Sequence, residues 1–267
     1  FKESRIYAPN QKFAKSATVT DKILVNLYDE YKKNPDVFWS NLAKQEINWI
    51  KEFTNVCEGN APDFKWFKEG KLNISENCLD RHITNKNDAI IHISEDNKKQ
   101  VISYKELYQK VNNFSFALKS LDIKKGSRVI IYMPTIPESI IAMLSCARLG
   151  LIHSVVFAGF SSESLKNRIN DCEAELIITV DSFRRNGKTI MSKETVDNAI
   201  RQDCPSIKNI IVFKNSDEDV SFNPNIDLWW HDILPKSDQT ILPEVMSSED
   251  ILFILYTSGS TGKPKGI

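Results

Sequence analysis

Between positions 256 and 266 the chain reads YTSGSTGKPKG. Thr257, Ser258, Ser260 and Thr261 supply hydroxyls, Gly259 and Gly262 remove side-chain bulk, and Lys263 and Lys265 place charge on either side of Pro264. In such a loop backbone N–H groups can turn inward on an anion, with hydroxyl and ammonium donors closing around it. Glycine lets the backbone come close to the ligand and take a positive φ where one is needed. The chemistry expected is the holding of a polyphosphate. The same letters could make a plain polar turn, but the mixture of Gly, hydroxyl and Lys points to the phosphate reading. A Walker A loop, G-x-x-x-x-G-K-[ST], does not fit, because its second glycine would fall on Pro264 or on Ile267.

Other chemistry-bearing residues read as structural. Asp80, Arg81 and His82 adjoin one another, and neighbours on a helix do not face each other, so an ion pair or cap is expected there. Trp39 and Trp49 lie on an apolar helical stripe, which predicts core filling and not ligand stacking. The five cysteines (Cys57, Cys78, Cys146, Cys172, Cys204) are scattered, with no CxxC pair, and the four histidines make no HExxH. No metal site is expected, and the thiols read as reduced, as in the cytosol.

The elements that must position the loop follow from periodicity. Residues 251–255 are an apolar run bounded by turn residues, which predicts a buried strand delivering the loop. Upstream, 1–20 is polar and irregular. A helix is expected from Asp21, its N-cap, to Pro35, and a second from Asp36 to Phe53 burying Phe38, Trp39, Leu42, Ile47, Trp49, Ile50 and Phe53. Residues 54–80 read as an extended connector, with Ser75 as a candidate cap. Then strands at 89–93, 101–103, 129–133, 152–157, 175–180 and 209–213 alternate with helices at 103–121, 138–149, 162–172 and 195–202. Ser103 and Glu106 form a capping box, and Gly150 suits a helix C-terminus. This rhythm predicts an α/β fold: an N-terminal helical extension, then a mostly parallel βαβ sheet flanked by helices. The division expected is 1–80 as extension and connector and 81–267 as the first part of a large α/β domain.

Composition limits the partners. Thirty-five basic residues balance 35 acidic ones, which favours neither a nucleic-acid nor an anionic-membrane surface. No apolar run approaches a membrane span and the first residues, FKESRIYAP, carry no signal-peptide core. A chain that starts on Phe and stops one residue past its phosphate loop reads as a fragment.

The loop resembles that of the adenylate-forming enzymes, the acyl-CoA synthetase and luciferase superfamily. DRH at 80–82, YMPTIPE at 132–138, AMLSCARLG at 142–150, HSVVFAGFSSE at 153–163 and DLWWHD at 227–232 narrow the likeness to the acetyl-coenzyme A synthetases, as do RIYAP, FW at 38–39 and KWFKEGKLN at 65–73. The resemblance implies a cytoplasmic ligase that uses ATP, Mg²⁺ and CoA. Acetate attacks the α-phosphorus of ATP to give acetyl-adenylate and pyrophosphate, and CoA then displaces AMP. It implies that Thr257, Ser258, Gly259, Ser260, Thr261, Gly262, Lys263 and Lys265 hold the ATP phosphates, with Lys263 as the catalytic cation. It also implies that Gly159 and the run Arg185, Asn186, Gly187 and Lys188 receive the phosphorylated end of CoA. The family has Arg-Gly-Gly-Arg in that run, so Asn186 and Lys188 depart from it; lysine keeps the charge but loses the planar fork. Another short-chain acyl-CoA synthetase, and a non-catalytic nucleotide- or CoA-binding fragment, are the alternatives.

Overall fold

A computed structural model describes residues 4–216, 218–257 and 264–267. Two units are present, Phe1–Gly70 and Lys71–Ile267. The first contains α1 (Gln11–Ser16), α2 (Asp21–Lys33), α3 (Pro35–Glu46) and an antiparallel hairpin of β1 (Asn55–Glu58) and β2 (Lys65–Lys68). Thr20, one residue before the expected cap, accepts from the Ile23 N–H, so Asp21 becomes the first helical residue. Asn34 caps α3 with Pro35 just inside it, where proline's missing N–H costs nothing.

The second helix is shorter than its apolar pattern predicts. It stops at Glu46, Ile47 is extended, and Trp49 folds back to donate its indole N–H to the Ala43 carbonyl at 3.0 Å. Trp49 then packs on Phe53 and Phe67, with ring centres 5.1 and 5.5 Å away, while Leu42 and Ile50 stay exposed. Aromatic packing therefore overrides helical periodicity after Glu46. The same packing makes 54–68 a hairpin, not the extended connector expected. Trp39 lies half-buried against Tyr31, Phe38 and Trp66, in an open aromatic cluster and not in the closed core its stripe predicts.

The second unit begins with β3 (Lys71–Leu72), α4 (Ile74–Cys78) and a single 3₁₀ turn at Asp80–His82. Asn73, not Ser75, caps α4, accepting from the N–H groups of Ser75 and Glu76. A hairpin of β4 (Asp88–Ile93) and β5 (Lys99–Ser103) leads into α5 (Tyr104–Ser120), capped by Ser103 as the capping-box spacing predicts. There follow β6 (Arg128–Tyr132), α6 (Pro137–Arg148), β7 (Ile152–Val155), α7 (Ser162–Asp171) and β8 (Leu176–Val180). Next come a small hairpin, β9 (Phe183–Arg185) and β10 (Lys188–Ile190), then α8 (Ser192–Arg201), β11 (Asn209–Phe213), β12 (Asp227–Trp229) and α9 (Trp230–Ile233). The last elements are β13 (Met246–Ser247), β14 (Tyr256–Thr257) and β15 (Lys265–Gly266).

The main sheet has five parallel strands in the order β12-β11-β8-β6-β7. Its inner strands read as nearly continuous apolar runs, RVIIY, LIITV and NIIVF, as strands covered on both faces do. The chain steps from β6 outward to β7, then back past β6 to β8. Crossovers between parallel strands are right-handed as a rule, which puts α6 on one face and α7 and α8 on the other; accordingly α5 packs with α6 and α7 with α8.

The expected buried strand at 251–255 is absent. Only Phe253 bridges to the sheet, parallel to His153 on β7, and Ile251, Phe253 and Leu255 are exposed while Leu252 and Ile254 are half-buried. The segment lies at a sheet edge with one face open. Beyond Ile254 it leaves β7, and Leu255 exchanges both backbone hydrogen bonds with Ile267 at 3.0 and 2.9 Å. A periodicity reading cannot separate an edge segment from a core strand when every letter is apolar.

Candidate functional site

In open α/β sheets ligands settle outside the carboxyl ends of the strands where the strand order reverses. Here that point lies between β6 and β8. A cleft of about 660 Å³ occupies it, bordered by the segment after β6 (Met133–Ile136), by Phe157 and Ala158 after β7, and by Phe183–Arg185 after β8. The β4–β5 hairpin closes another side with Ser94, Glu95, Asp96 and Lys98.

Asp181, wholly buried at the end of β8, builds this rim. Its Oδ1 accepts from the N–H groups of Ser182 (2.6 Å) and Asn215 (2.9 Å), and Oδ2 from that of Ser216 (3.2 Å), tying the turn after β8 to the turn after β11. A carboxylate satisfied by several N–H donors can stay buried without an ion-pair partner. No sequence motif identifies it.

The β9–β10 hairpin projects from that rim. Asn186 and Gly187 are its two turn residues, with φ of 51° and 73°. Positive φ at both centres is the type I′ geometry of two-residue hairpins, for which Asn-Gly is the preferred pair. The departure from Gly to Asn is therefore conformationally neutral, since Asn enters the left-handed region more readily than any other residue except Gly. Arg185 and Lys188 are direct cross-strand partners flanking the turn. Like charges in that position repel, and both side chains are exposed. A bound anion would remove the repulsion.

Gly159 is brought to the same place from the β7 side. A Cβ on it would come within 2.6 Å of Phe157 Cε1 and 3.0 Å of Arg185 Nη1, so any side chain here would push the Phe157 ring aside. The Arg185 guanidinium lies 4.7 Å from the centre of the Phe157 ring, within cation–π range. Glu95 accepts a 2.9 Å hydrogen bond from the Gly187 N–H, tethering the turn to the β4–β5 hairpin. The structure thus gathers Gly159, Arg185, Asn186, Gly187 and Lys188. It adds two residues that sequence reading missed, Phe157 and Glu95. Phe157 stands inside the HSVVFAGFSSE motif and was within reach; Glu95 lies in an unremarkable turn.

Two of the expected phosphate-holding residues are among those described. Thr257 and Lys265 face each other across β14 and β15, both exposed. Ser258, Gly259, Ser260, Thr261, Gly262 and Lys263 lie outside the described residues. The hairpin root is fastened by Tyr256, whose hydroxyl donates to Asp171 Oδ2 at 2.7 Å.

Within the DRH run, Asp80 makes a structural ion pair, two-pronged with Arg148: Nη1–Oδ2 at 2.9 Å and Nη2–Oδ1 at 3.0 Å. Arg148 also donates from Nε to the Ile241 carbonyl (2.7 Å) and lies over Tyr108. All five cysteines are free. Among the described residues no helix is long and apolar enough to cross a membrane.

Residues 79–267 match the model of the AMP-binding enzyme family. The chain belongs to that family. Residues 25–78 match the model of the acetyl-coenzyme A synthetase N-terminus. This AMP-binding family member is 45% identical to the acetyl-coenzyme A synthetase of Pasteurella multocida over 270 residues, covering 100% of this chain and 41% of that protein. With the acetyl-coenzyme A synthetase of Helicobacter acinonychis the identity is 46%, over 98% of this chain and 41% of the relative. In structure it is similar to an acetoacetyl-CoA synthetase from Streptomyces lividans, with a TM-score of 0.82 and 25% identity over 89% of this chain and 37% of that one. The chain thus spans 41% of the length of the curated relatives.

Proposed function

We propose that the chain carries the ATP-phosphate-holding loop and the coenzyme-receiving rim of an acetate–CoA ligase. The single observation that best supports the coenzyme side is the meeting of Gly159, Phe157 and the Arg185–Lys188 pair at the switch-point cleft. The acyl group is assigned from the names of the relatives that the chain matches.

The reaction proceeds in two displacements. A carboxylate oxygen of acetate attacks the α-phosphorus of ATP, the bond to the bridging oxygen breaks, and pyrophosphate leaves. The thiolate of CoA then attacks the acyl carbon and AMP leaves with the former carboxylate oxygen. The first step turns a poor leaving group into a good one. Thr257, Ser258, Gly259, Ser260, Thr261, Gly262, Lys263 and Lys265 hold the β- and γ-phosphates as charge builds on pyrophosphate, with the Lys263 ammonium as the main cation. Preorganised donors of this kind are worth roughly 2.7–4 kcal/mol each in comparable sites. ATP arrives as its Mg²⁺ complex, the ion offsetting phosphate charge. Gly159, Arg185, Asn186, Gly187 and Lys188 receive the 3′-phospho-ADP end of CoA, the two cations pairing with phosphate. All five cysteines are free, which favours a reducing compartment, and on that ground we assign the reaction to the cytoplasm.

The test separates the two half-reactions in a synthetase that carries this chain. Arg185→Ala should leave acetate-dependent ATP–pyrophosphate exchange within about twofold and raise the KM for CoA roughly tenfold, as loss of one charged hydrogen bond implies. Equal loss of exchange and of CoA-dependent turnover would sink the coenzyme assignment.

A further inference from the structure

Arg168 on α7 belongs to neither group of site residues, yet it touches both surroundings. Its side chain is 8% exposed, and its polar partners among the described residues are the Ser164 carbonyl (2.8 Å) and hydroxyl (2.6 Å), one turn back. No described carboxylate pairs with it. A buried guanidinium needs compensation, and here aromatic rings provide it. Its Cζ lies 4.7 Å from the centre of Phe160 and 5.3 Å from that of Tyr256. Phe160 meets Phe157 edge to face at 5.6 Å, and Phe157 carries Arg185 at 4.7 Å. Tyr256 opens the β14–β15 hairpin and is held by Asp171 from the far end of α7. The side chains Tyr256, Arg168, Phe160, Phe157 and Arg185 therefore form one continuous row of three cation–ring contacts and one ring–ring contact.

We propose that Arg168 is a positioning residue for both sites: it fixes the aromatic floor under Arg185 and, through Tyr256, the root of the hairpin that bears Thr257 and Lys265. The naming of those sites as coenzyme and ATP sites rests on the reading above; the anchoring itself does not. The physical reason for arginine is its flat, weakly hydrated guanidinium, which presents a planar surface to aromatic rings and stays charged when buried. A methionine of similar length would fill the space and lose the attraction to both rings. Because the two contacts lie on different neighbours, the loss should be felt in two places far apart in sequence.

Backbone amide hydrogen exchange on the free 267-residue chain tests this, since local opening reports how firmly each hairpin is held. Arg168→Met should speed exchange roughly ten- to thirtyfold at the backbone amides of both β9–β10 and the Leu255–Ile267 pairing, the factor that one largely desolvated cation–π contact supplies. Phe160→Leu, which cuts the row on one side of Arg168, should speed β9–β10 alone. Leu165→Ala, a cavity on the same helix, is compared at matched distance below its own Tm and should alter neither hairpin by more than about twofold. Faster exchange in only one hairpin with Arg168→Met, or in neither, overturns the proposal. So does an equal rise in both with Leu165→Ala, which would mean plain destabilisation. Titrations of the wild-type chain with adenosine 3′,5′-bisphosphate and with ATP judge the ligand reading separately. If both bind, Arg168→Met should weaken each roughly five- to tenfold. If neither binds while the exchange pattern holds, the anchor stands and the functional reading of the two sites falls.

Discussion

Arg185 and Lys188 owe their closeness to two turn residues, so the turn can be tested without touching a charge. Asn186→Gly should leave Tm and adenosine 3′,5′-bisphosphate binding unchanged, because φ of 51° suits both residues. Asn186→Val places a β-branched side chain in the left-handed region at a cost of about 1–2 kcal/mol, and adenosine 3′,5′-bisphosphate titration should then show weaker binding. Equal affinity for the two variants would detach the turn geometry from the site. His153 offers a second residue-scale test. It is buried beside Phe253, its Nδ1 has no partner among the described residues, and burial pushes its pKa down to about 4. An unfolded histidine titrates near 6.5. As pH falls from about 6.5 toward 4 the unfolded chain takes a proton that the native chain refuses, so stability declines by up to roughly 3 kcal/mol. Urea melts at pH 7 and pH 5 should show roughly 2 kcal/mol of this loss, and His153→Gln should flatten it; parallel pH dependence in both proteins would rule it out.

At the scale of elements, the polar joints carry most of what the apolar pattern leaves unspecified. Arg148 at the end of α6 is 1% exposed and binds Asp80, the Ile241 carbonyl and the face of Tyr108, joining the 3₁₀ turn, α5 and the segment before β13. Asp80→Ala would strand that guanidinium, and breaking such a buried pair typically costs about 3–5 kcal/mol. Chemical denaturation should show that loss with an unchanged slope; a change under 1 kcal/mol would mean that the Ile241 carbonyl and Tyr108 satisfy Arg148 alone. The sequence suggested a structural role for Asp80 from its neighbours' spacing, but its partner lies 68 residues away and left no local trace. Parallel strands and their crossovers were readable because β6, β8 and β11 are nearly continuous apolar runs, and because α5 and α7 carry serine caps while α6 has proline in its first turn. The end of α3 and the edge segment at 251–255 were not. In both, tertiary contacts decide: Trp49 folding back on Ala43, and Leu255 turning from β7 to Ile267. Of the candidate site, the loop letters and the Arg185–Lys188 run were legible, whereas Glu95, Asp181 and Arg168 act through folded neighbours alone.

For the molecule as a whole, the question is how much of a catalyst the chain can be by itself. It spans 41% of the curated relatives' length, and the groups proposed above would hold the phosphates of one substrate and the phosphorylated end of another. None of them grips adenine or encloses the acetate carboxylate. Displacement at phosphorus depends on holding every reacting group in line, an advantage worth roughly 7–11 kcal/mol that is lost when one partner remains free to diffuse. Thr257 and Lys265 are exposed on their hairpin, so water also competes for the same donors and screens Lys265. The chain should therefore bind adenosine 3′,5′-bisphosphate, more weakly at high salt, because Arg185 and Lys188 are already paired across their turn. It should not catalyse acetate-dependent exchange of labelled pyrophosphate into ATP. Calorimetric titration checks the first expectation and a radiometric exchange assay the second. Exchange above the enzyme-free background from the purified chain would mean that the phosphate loop and the rim suffice for adenylation, and the division of labour argued here would be wrong.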